Sequence, residues 1–132
     1  MKNIIDFLKE NPATQFATSD NNIPKVRPII FPLEENGVLW FCTGKSKYFW
    51  RELNANPRVE FSSYDGKTKW VRVSGIVELT DKIDIKTKIL DLYPNIKDIY
   101  KSPTNPEFKT FCLKHWIATM YSFTEPPITV TH

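Results

Sequence analysis

Glycine is scarce in this chain, with four in 132 residues, and no Rossmann fingerprint can be assembled from them. A dedicated dinucleotide-binding fold is therefore not indicated. Cysteine is scarcer still: Cys42 and Cys112 lie far apart, with no C-x-x-C and no neighbouring histidine pair to suggest zinc, and read as free thiols. The only histidines are His115 and His132, which excludes a histidine-rich metal site and leaves little from which to build a Ser-His-Asp triad. Long apolar runs are absent too. Met1-Lys2-Asn3-Ile4-Ile5-Asp6 carries early charge, so neither a signal peptide nor a membrane span is expected, and a cytoplasmic protein is. A net charge of +3 with scattered lysines does not indicate nucleic acid binding.

What the chain does have is the composition of one globular domain over residues 1–132, with 41% hydrophobic and 25% charged residues. Ile4, Ile5 and Leu8 fall on one face of a short helix that Pro12 stops. Gln15 to Ser19 reads as a strand turned by Asp20-Asn21-Asn22, and Lys25 to Leu33 as a second. Glu34-Glu35-Asn36-Gly37 is a hairpin turn into Val38-Leu39-Trp40-Phe41-Cys42. Ser46 is placed to cap a helix carrying Phe49 and Leu53 and ending near Asn54. Arg58 to Tyr64 and Trp70 to Leu79 are strands around an Asp65-Gly66 turn. Thr80 or Asp81 caps a helix with Ile85, Ile89 and Leu92 on one face. A further turn of helix fits Ile96 to Tyr100, and Trp116 to Phe123 is the last strand, before a short tail. The fold class is mainly β (α+β). Short connections exclude parallel crossovers and predict a six-stranded antiparallel barrel with short flanking helices, too small to enclose a large cofactor. A ligand would lie against its outside, covered most simply by a second subunit in a homodimer.

Three cationic stretches stand where strands meet a helix start: Val26-Arg27-Pro28-Ile29-Ile30, Thr43-Gly44-Lys45-Ser46-Lys47 and Asn56-Pro57-Arg58-Val59. Backbone donors and basic side chains at such a junction suit a phosphorylated ligand. On spacing alone, Arg27 reads first as a solvated strand arginine paired to a carboxylate, and Ser46 as a helix cap between two solvated lysines.

In this order, with Trp70-Val71-Arg72-Val73-Ser74-Gly75 following, the chain resembles the pyridoxamine 5′-phosphate oxidase-like, FMN-binding split-barrel proteins from about Phe16 to Phe123. Leu92-Tyr93-Pro94-Asn95-Ile96-Lys97-Asp98-Ile99-Tyr100, with Phe108 and Phe111 after it, looks most like the nitroimidazole-resistance (Nim-type) branch. The resemblance implies FMN at a dimer interface. Arg27 would meet its phosphate, and the backbone through Pro28, Ile29 and Ile30 the isoalloxazine edge. Lys45, Ser46 and Lys47 would form the second phosphate element, with Lys47 the stronger candidate, and Thr43 would add a hydroxyl. Trp70 stands where relatives have a polar residue reaching the partner's flavin, and could stack, donate through its N–H or pack the interface. Trp116 would line the pocket across the dimer, beside a structural His115.

No side chain need act as acid or base, and no metal is implied. A reduced donor such as NADH or NADPH and a small acceptor would meet at the flavin. The likeness stops short of the Arg- and His-containing end of pyridoxamine 5′-phosphate oxidase proper, because no arginine follows Arg72. The implied chemistry is thus flavin reductase- or nitroreductase-like. The alternative is a non-catalytic FMN- or haem-binding carrier or sensor, with His115 or His132 as the axial ligand.

Overall fold

The computed structural model describes residues 2–132. Helix α1 (Lys2–Glu10) buries Ile4, Ile5 and Leu8, the i, i+1, i+4 face of its turns, and ends where the Asn11 N–H and side-chain amide both donate to the Phe7 carbonyl. Ten strands follow, in two antiparallel sheets. The larger contains β1 (Ala13–Asp20), β2 (Ile23–Ile30), β5 (Arg58–Tyr64), β6 (Lys69–Ile76), β9 (Trp116–Ser122) and β10 (Ile128–Thr131), in the order β10-β9-β6-β5-β1-β2. The smaller contains β3 (Leu33–Glu35), β4 (Val38–Gly44), β7 (Glu78–Thr80) and β8 (Phe108–Leu113), in the order β3-β4-β8-β7. Helix α2 (Tyr48–Ala55) follows β4, and α3 (Ile83–Leu92) and α4 (Pro94–Tyr100) form the excursion between β7 and β8.

The expected single six-stranded barrel is corrected in count and closure. The six-stranded sheet ends on β10 and β2 without closing, and a second sheet packs against it. Two runs that read as continuous strands change sheet partway. Lys25–Leu33 breaks at Phe31-Pro32, where the chain leaves the larger sheet and enters the smaller one as β3. Trp70–Leu79 leaves the larger sheet after Val77, whose N–H still donates to the Pro57 carbonyl in register with β5. Trp116–Ser122 is not the last strand, since the tail returns as β10 beside it.

The core lies between the sheets and is built of phenylalanines. Phe16 stacks on Phe61 (5.3 Å, 13°) and Phe41 on Phe111 (5.4 Å, 11°), and the two stacks meet edge to face at 5.1 Å. The other face of the smaller sheet carries a second cluster, Trp40, Phe108 and Cys112, closed by Ile85, Ile89 and Leu90 of α3 and Tyr100 of α4. Leu92, expected on the buried face of α3, is exposed, and Leu90 is buried in its place. No side chain caps α3: its N-cap is Lys82, and Asp81 instead pairs with Lys86. Asn36 (φ 53°) and Gly37 (φ 82°) make the two-residue turn from β3 to β4.

Among the described residues, nothing packs on the outer face of the six-stranded sheet. Register puts Phe16, Arg27, Phe61, Val73 and Ala118 on the inner face. The alternate positions Val26, Ile30, Tyr64, Trp70, Ile76, Ile117 and Tyr121 therefore point outward. Val26 is 66% and Ile117 52% exposed. Trp70 stacks on Tyr121 (5.3 Å, 9°) and leans on Phe123, giving this face an aromatic end.

Candidate functional site

Among the described residues, β2 is an edge strand that pairs only with β1. The Phe31 N–H donates to the Pro12 carbonyl on the β1 side, so alternation turns the backbone of Pro24, Val26, Pro28 and Ile30 toward the free edge. Both prolines thus sit where no ladder hydrogen bond is lost, and the N–H groups of Val26 and Ile30 remain open. The opposite parity carries Lys25, Arg27 and Ile29 on the inner face, where α2 lies against β1 and β4.

Arg27 and α2 define a groove of about 670 Å³, lined by Lys25, Val26, Arg27, Tyr48, Arg51 and Glu52 among others. The Arg27 guanidinium lies 4.5 Å over the ring of Phe49, in the first turn of α2. Its Nη1 donates to the Thr18 hydroxyl (2.8 Å) and the Phe16 carbonyl (3.3 Å), and its Nη2 to Glu52 Oε1. Thr18 donates in turn to the same carboxylate oxygen at 2.6 Å. Burial pushes the Glu52 carboxyl up, but the hydrogen bonds from Thr18 and Arg27 and the charges of Arg27 and Lys25 outweigh it and hold the group below its ordinary value. Arg27 keeps its Nε–H and one Nη2 hydrogen without a partner among the described residues. Both possibilities open at the sequence level therefore meet in one side chain: it is paired to a carboxylate and it retains donors.

The Thr43–Lys47 loop arrives at the same end of α2. Its expected cap is corrected: Lys47 is the N-cap residue, no side chain caps the helix, and Ser46 is turned away. The Ser46 N–H (3.0 Å) and hydroxyl (2.6 Å) both donate to Glu107 Oε2, and the Lys45 N–H donates to the Glu107 carbonyl (2.8 Å). The two Ser46 hydrogen bonds, with the charges of Lys45 and Lys47, hold the Glu107 carboxyl below its usual range. The ammonium groups of Lys25, Lys45 and Lys47 have no ion-pair partner among the described residues. Thr43 is buried, and its hydroxyl has no hydrogen-bond partner among them.

Of the expected residues, Arg27 lines the groove, whereas Pro28, Ile29 and Ile30 continue β2 past it and Thr43, Lys45, Ser46 and Lys47 lead into α2 without entering its lining. Trp70 stands apart on the outer sheet face, and Trp116 apart again. Trp116 is 1% exposed, donates from Nε1 to the Gly37 carbonyl at 2.8 Å and stacks on His132. It borders a separate cleft of about 620 Å³ with Arg58, His115 and His132. Sequence reasoning missed Lys25, Thr18, Tyr48, Arg51, Glu52 and Glu107. Lys25 had a signal, since it shares the strand face of Arg27 two residues on. Glu107 had none, being 61 residues from Ser46.

A phosphorylated flavin fits these residues in part. Arg27 has two donors left, three lysines are unpaired, the β2 edge offers backbone donors, and Thr43 carries an orphaned buried hydroxyl. The donors of Ser46 are already taken. Among the described residues no cluster of three or more His, Cys, Asp or Glu could hold a metal ion, and no helix is long and apolar enough to cross a membrane.

The family model for pyridoxamine 5′-phosphate oxidase matches residues 1–115. No curated protein matches the chain in sequence. Among solved structures, a NimC/NimA family protein from Clostridium acetobutylicum superposes with a TM-score of 0.91 at 29% identity, over 100% of this chain and 92% of its own. Two others share the fold. General Stress Protein 26 from Bacillus anthracis has a TM-score of 0.76 at 15% identity, over 98% of this chain and 97% of its own. A heme binding protein from Mycobacterium smegmatis has a TM-score of 0.75 at 14% identity, over 95% of this chain and 55% of its own. Sequence match and superposition agree with the order of strand, basic loop and helix along the chain: it belongs to the pyridoxamine 5′-phosphate oxidase family, on its Nim-type branch.

Proposed function

We propose that the protein is an FMN-dependent oxidoreductase that works as a homodimer. The observation that carries this reading is the groove between β2 and α2, where Arg27 keeps two free donors beside the unpaired Lys25. In this reading Arg27, with Lys25 and Lys47, binds the phosphate, because a fork of N–H donors and point charges suits a dianion. The open edge of β2 holds the ring through the N–H groups of Val26 and Ile30, and Thr43 gives its hydroxyl to the ligand. The bound flavin would supply hydride acceptance from a reduced nicotinamide and electron delivery to a small oxidised acceptor. Fixed backbone donors at the ring's edge would favour the charge that reduction places there.

The homodimer is supported by the uncovered outer face of the six-stranded sheet. Val26, Ile30, Ile117 and Phe123 leave it more apolar than a free sheet face in water usually is. A second copy would cover it and bring Trp70 to the partner's site.

The test is anaerobic reduction of the FMN-loaded protein by NADH or NADPH, followed by addition of nitro and quinone acceptors. Bleaching and recovery of the flavin absorption faster than for free FMN support the enzyme. Rates equal to those of free FMN contradict turnover and leave a carrier. The second reading, haem binding, is favoured by one observation: His115 and His132 border the same cleft as Arg58. A haem absorption band on titration, lost with His115→Ala, would replace the flavin reading.

A further inference from the structure

The loop expected to grip a phosphate already grips an anion of the protein's own. Glu107 Oε2 takes both the N–H and the hydroxyl of Ser46, the pair of donors that a phosphate oxygen would use. The carboxylate comes down onto the loop because Gly44 has no side chain: a Cβ there would stand 2.7 Å from Glu107 Oε2 and 3.1 Å from the Tyr100 hydroxyl. It is also presented deliberately. The Glu107 N–H donates to Asn105 Oδ1 (2.9 Å), and the Asn105 amide to the Tyr100 carbonyl (2.7 Å), so the turn after α4 is braced behind the carboxylate. Beside it, Lys45 and Lys47 carry positive charge with no ion-pair partner among the described residues.

We propose that Glu107 is an internal occupant of the phosphate cradle, displaced when a phosphorylated flavin enters, so that FMN is an exchangeable ligand whose affinity Glu107 sets. This rests on the flavin reading above and specifies how that site is regulated. The physical basis is competition. A carboxylate and a phosphate cannot share the Ser46 donors, and either one leaves the other without charge-assisted hydrogen bonds. The carboxylate holds the two Ser46 donors, and a phosphate must break those hydrogen bonds before it makes its own. Riboflavin, which has the same ring and no phosphate, has no quarrel with Glu107. The device therefore discriminates against the phosphate alone.

The experiment is a pair of fluorescence-quenching titrations, with FMN and with riboflavin, on the native protein, Glu107→Gln and Glu107→Asp, each checked for native melting behaviour. Glu107→Gln keeps an acceptor for Ser46 and removes the charge. It is expected to tighten FMN by about tenfold and leave riboflavin unchanged. Glu107→Asp, whose carboxylate is one methylene shorter, is expected to give a smaller gain of the same kind. A ratio of FMN to riboflavin affinity that stays the same or falls in both variants would overturn the role of Glu107 while leaving the flavin reading standing. Failure of native and variant proteins alike to bind either flavin would overturn the flavin reading, and this proposal with it.

Discussion

Arg27 and Glu52, 25 residues apart, form an ion pair across the groove between β2 and α2, with Thr18 bonded to both. Glu52 is 4% exposed, so its charge depends on these partners. Arg27→Ala is expected to cost about 3–5 kcal/mol in chemical denaturation, because a buried carboxylate is left uncompensated. The paired change Arg27→Gln, Glu52→Gln removes both charges and is expected to cost clearly less than Arg27→Ala. Equal costs would mean that the pair is not coupled.

The same pair gives a pH dependence of known sign. The Glu52 carboxyl is held below its ordinary value of 4.5 in the folded chain. Its contribution to stability is therefore fully present above that value and is lost as pH falls through the depressed folded one. Glu107 and Asp81 are shifted the same way, so the native curve alone does not isolate Glu52. The difference between native and Glu52→Gln stability should shrink as the solution is acidified below pH 4.5. A difference that stays constant across that window contradicts the assignment.

Neither thiol is built to react. Burial pushes Cys42 up to about 12, against the opposing charge of Lys47, and burial with Glu78 raises Cys112 to about 11. Alkylation of the native protein at pH 8 is expected to be slower by orders of magnitude than after denaturation. Rapid native labelling of Cys42 would show a different environment at β4.

At Gly75 the two neighbouring strands β6 and β9 approach too closely for a side chain. A Cβ there would lie 2.8 Å from the His115 carbonyl oxygen and 3.0 Å from Leu113 Cδ2. Gly75→Ala is expected to lower stability by about 1–3 kcal/mol, since backbone must move. An unchanged melting temperature would contradict that packing.

The outer sheet face gives a prediction about assembly. Ile117→Glu places a charge in its exposed aliphatic end and is expected to convert dimer to monomer in sedimentation velocity, with the far-UV spectrum unchanged. A dimer that survives both Ile117→Glu and Phe123→Glu would have to form elsewhere.

Much of this architecture was legible in the chain, and the exceptions share a cause. β5 reads off its alternation at Arg58–Tyr64, and the Asn36-Gly37 turn off its residues. β8 does not, because Phe108–Leu113 is buried between the core and α3–α4 and shows almost no polar alternation. β10 is four residues that make sense only beside β9. The changes of sheet at Pro32 and Val77 are tertiary events within runs of strand-forming residues. The candidate site divides in the same way. Residues tied to a strand face or a helix start, such as Arg27 and Lys47, stand out locally. Their carboxylate partners Glu52 and Glu107 are chosen by folding and leave no mark at short range.

The measurement that bears most directly on this account is FMN titration by fluorescence quenching. The native protein would be compared with Lys25→Ala, Lys47→Ala and with the charge-paired Arg27→Gln, Glu52→Gln, all checked for native melting behaviour. Saturable binding by the native chain that weakens at least tenfold in both variants is the predicted result, as removal of phosphate-binding cations requires. Native binding that neither substitution weakens, or no binding by a well-folded dimer, would contradict the placement of a flavin phosphate between β2 and α2.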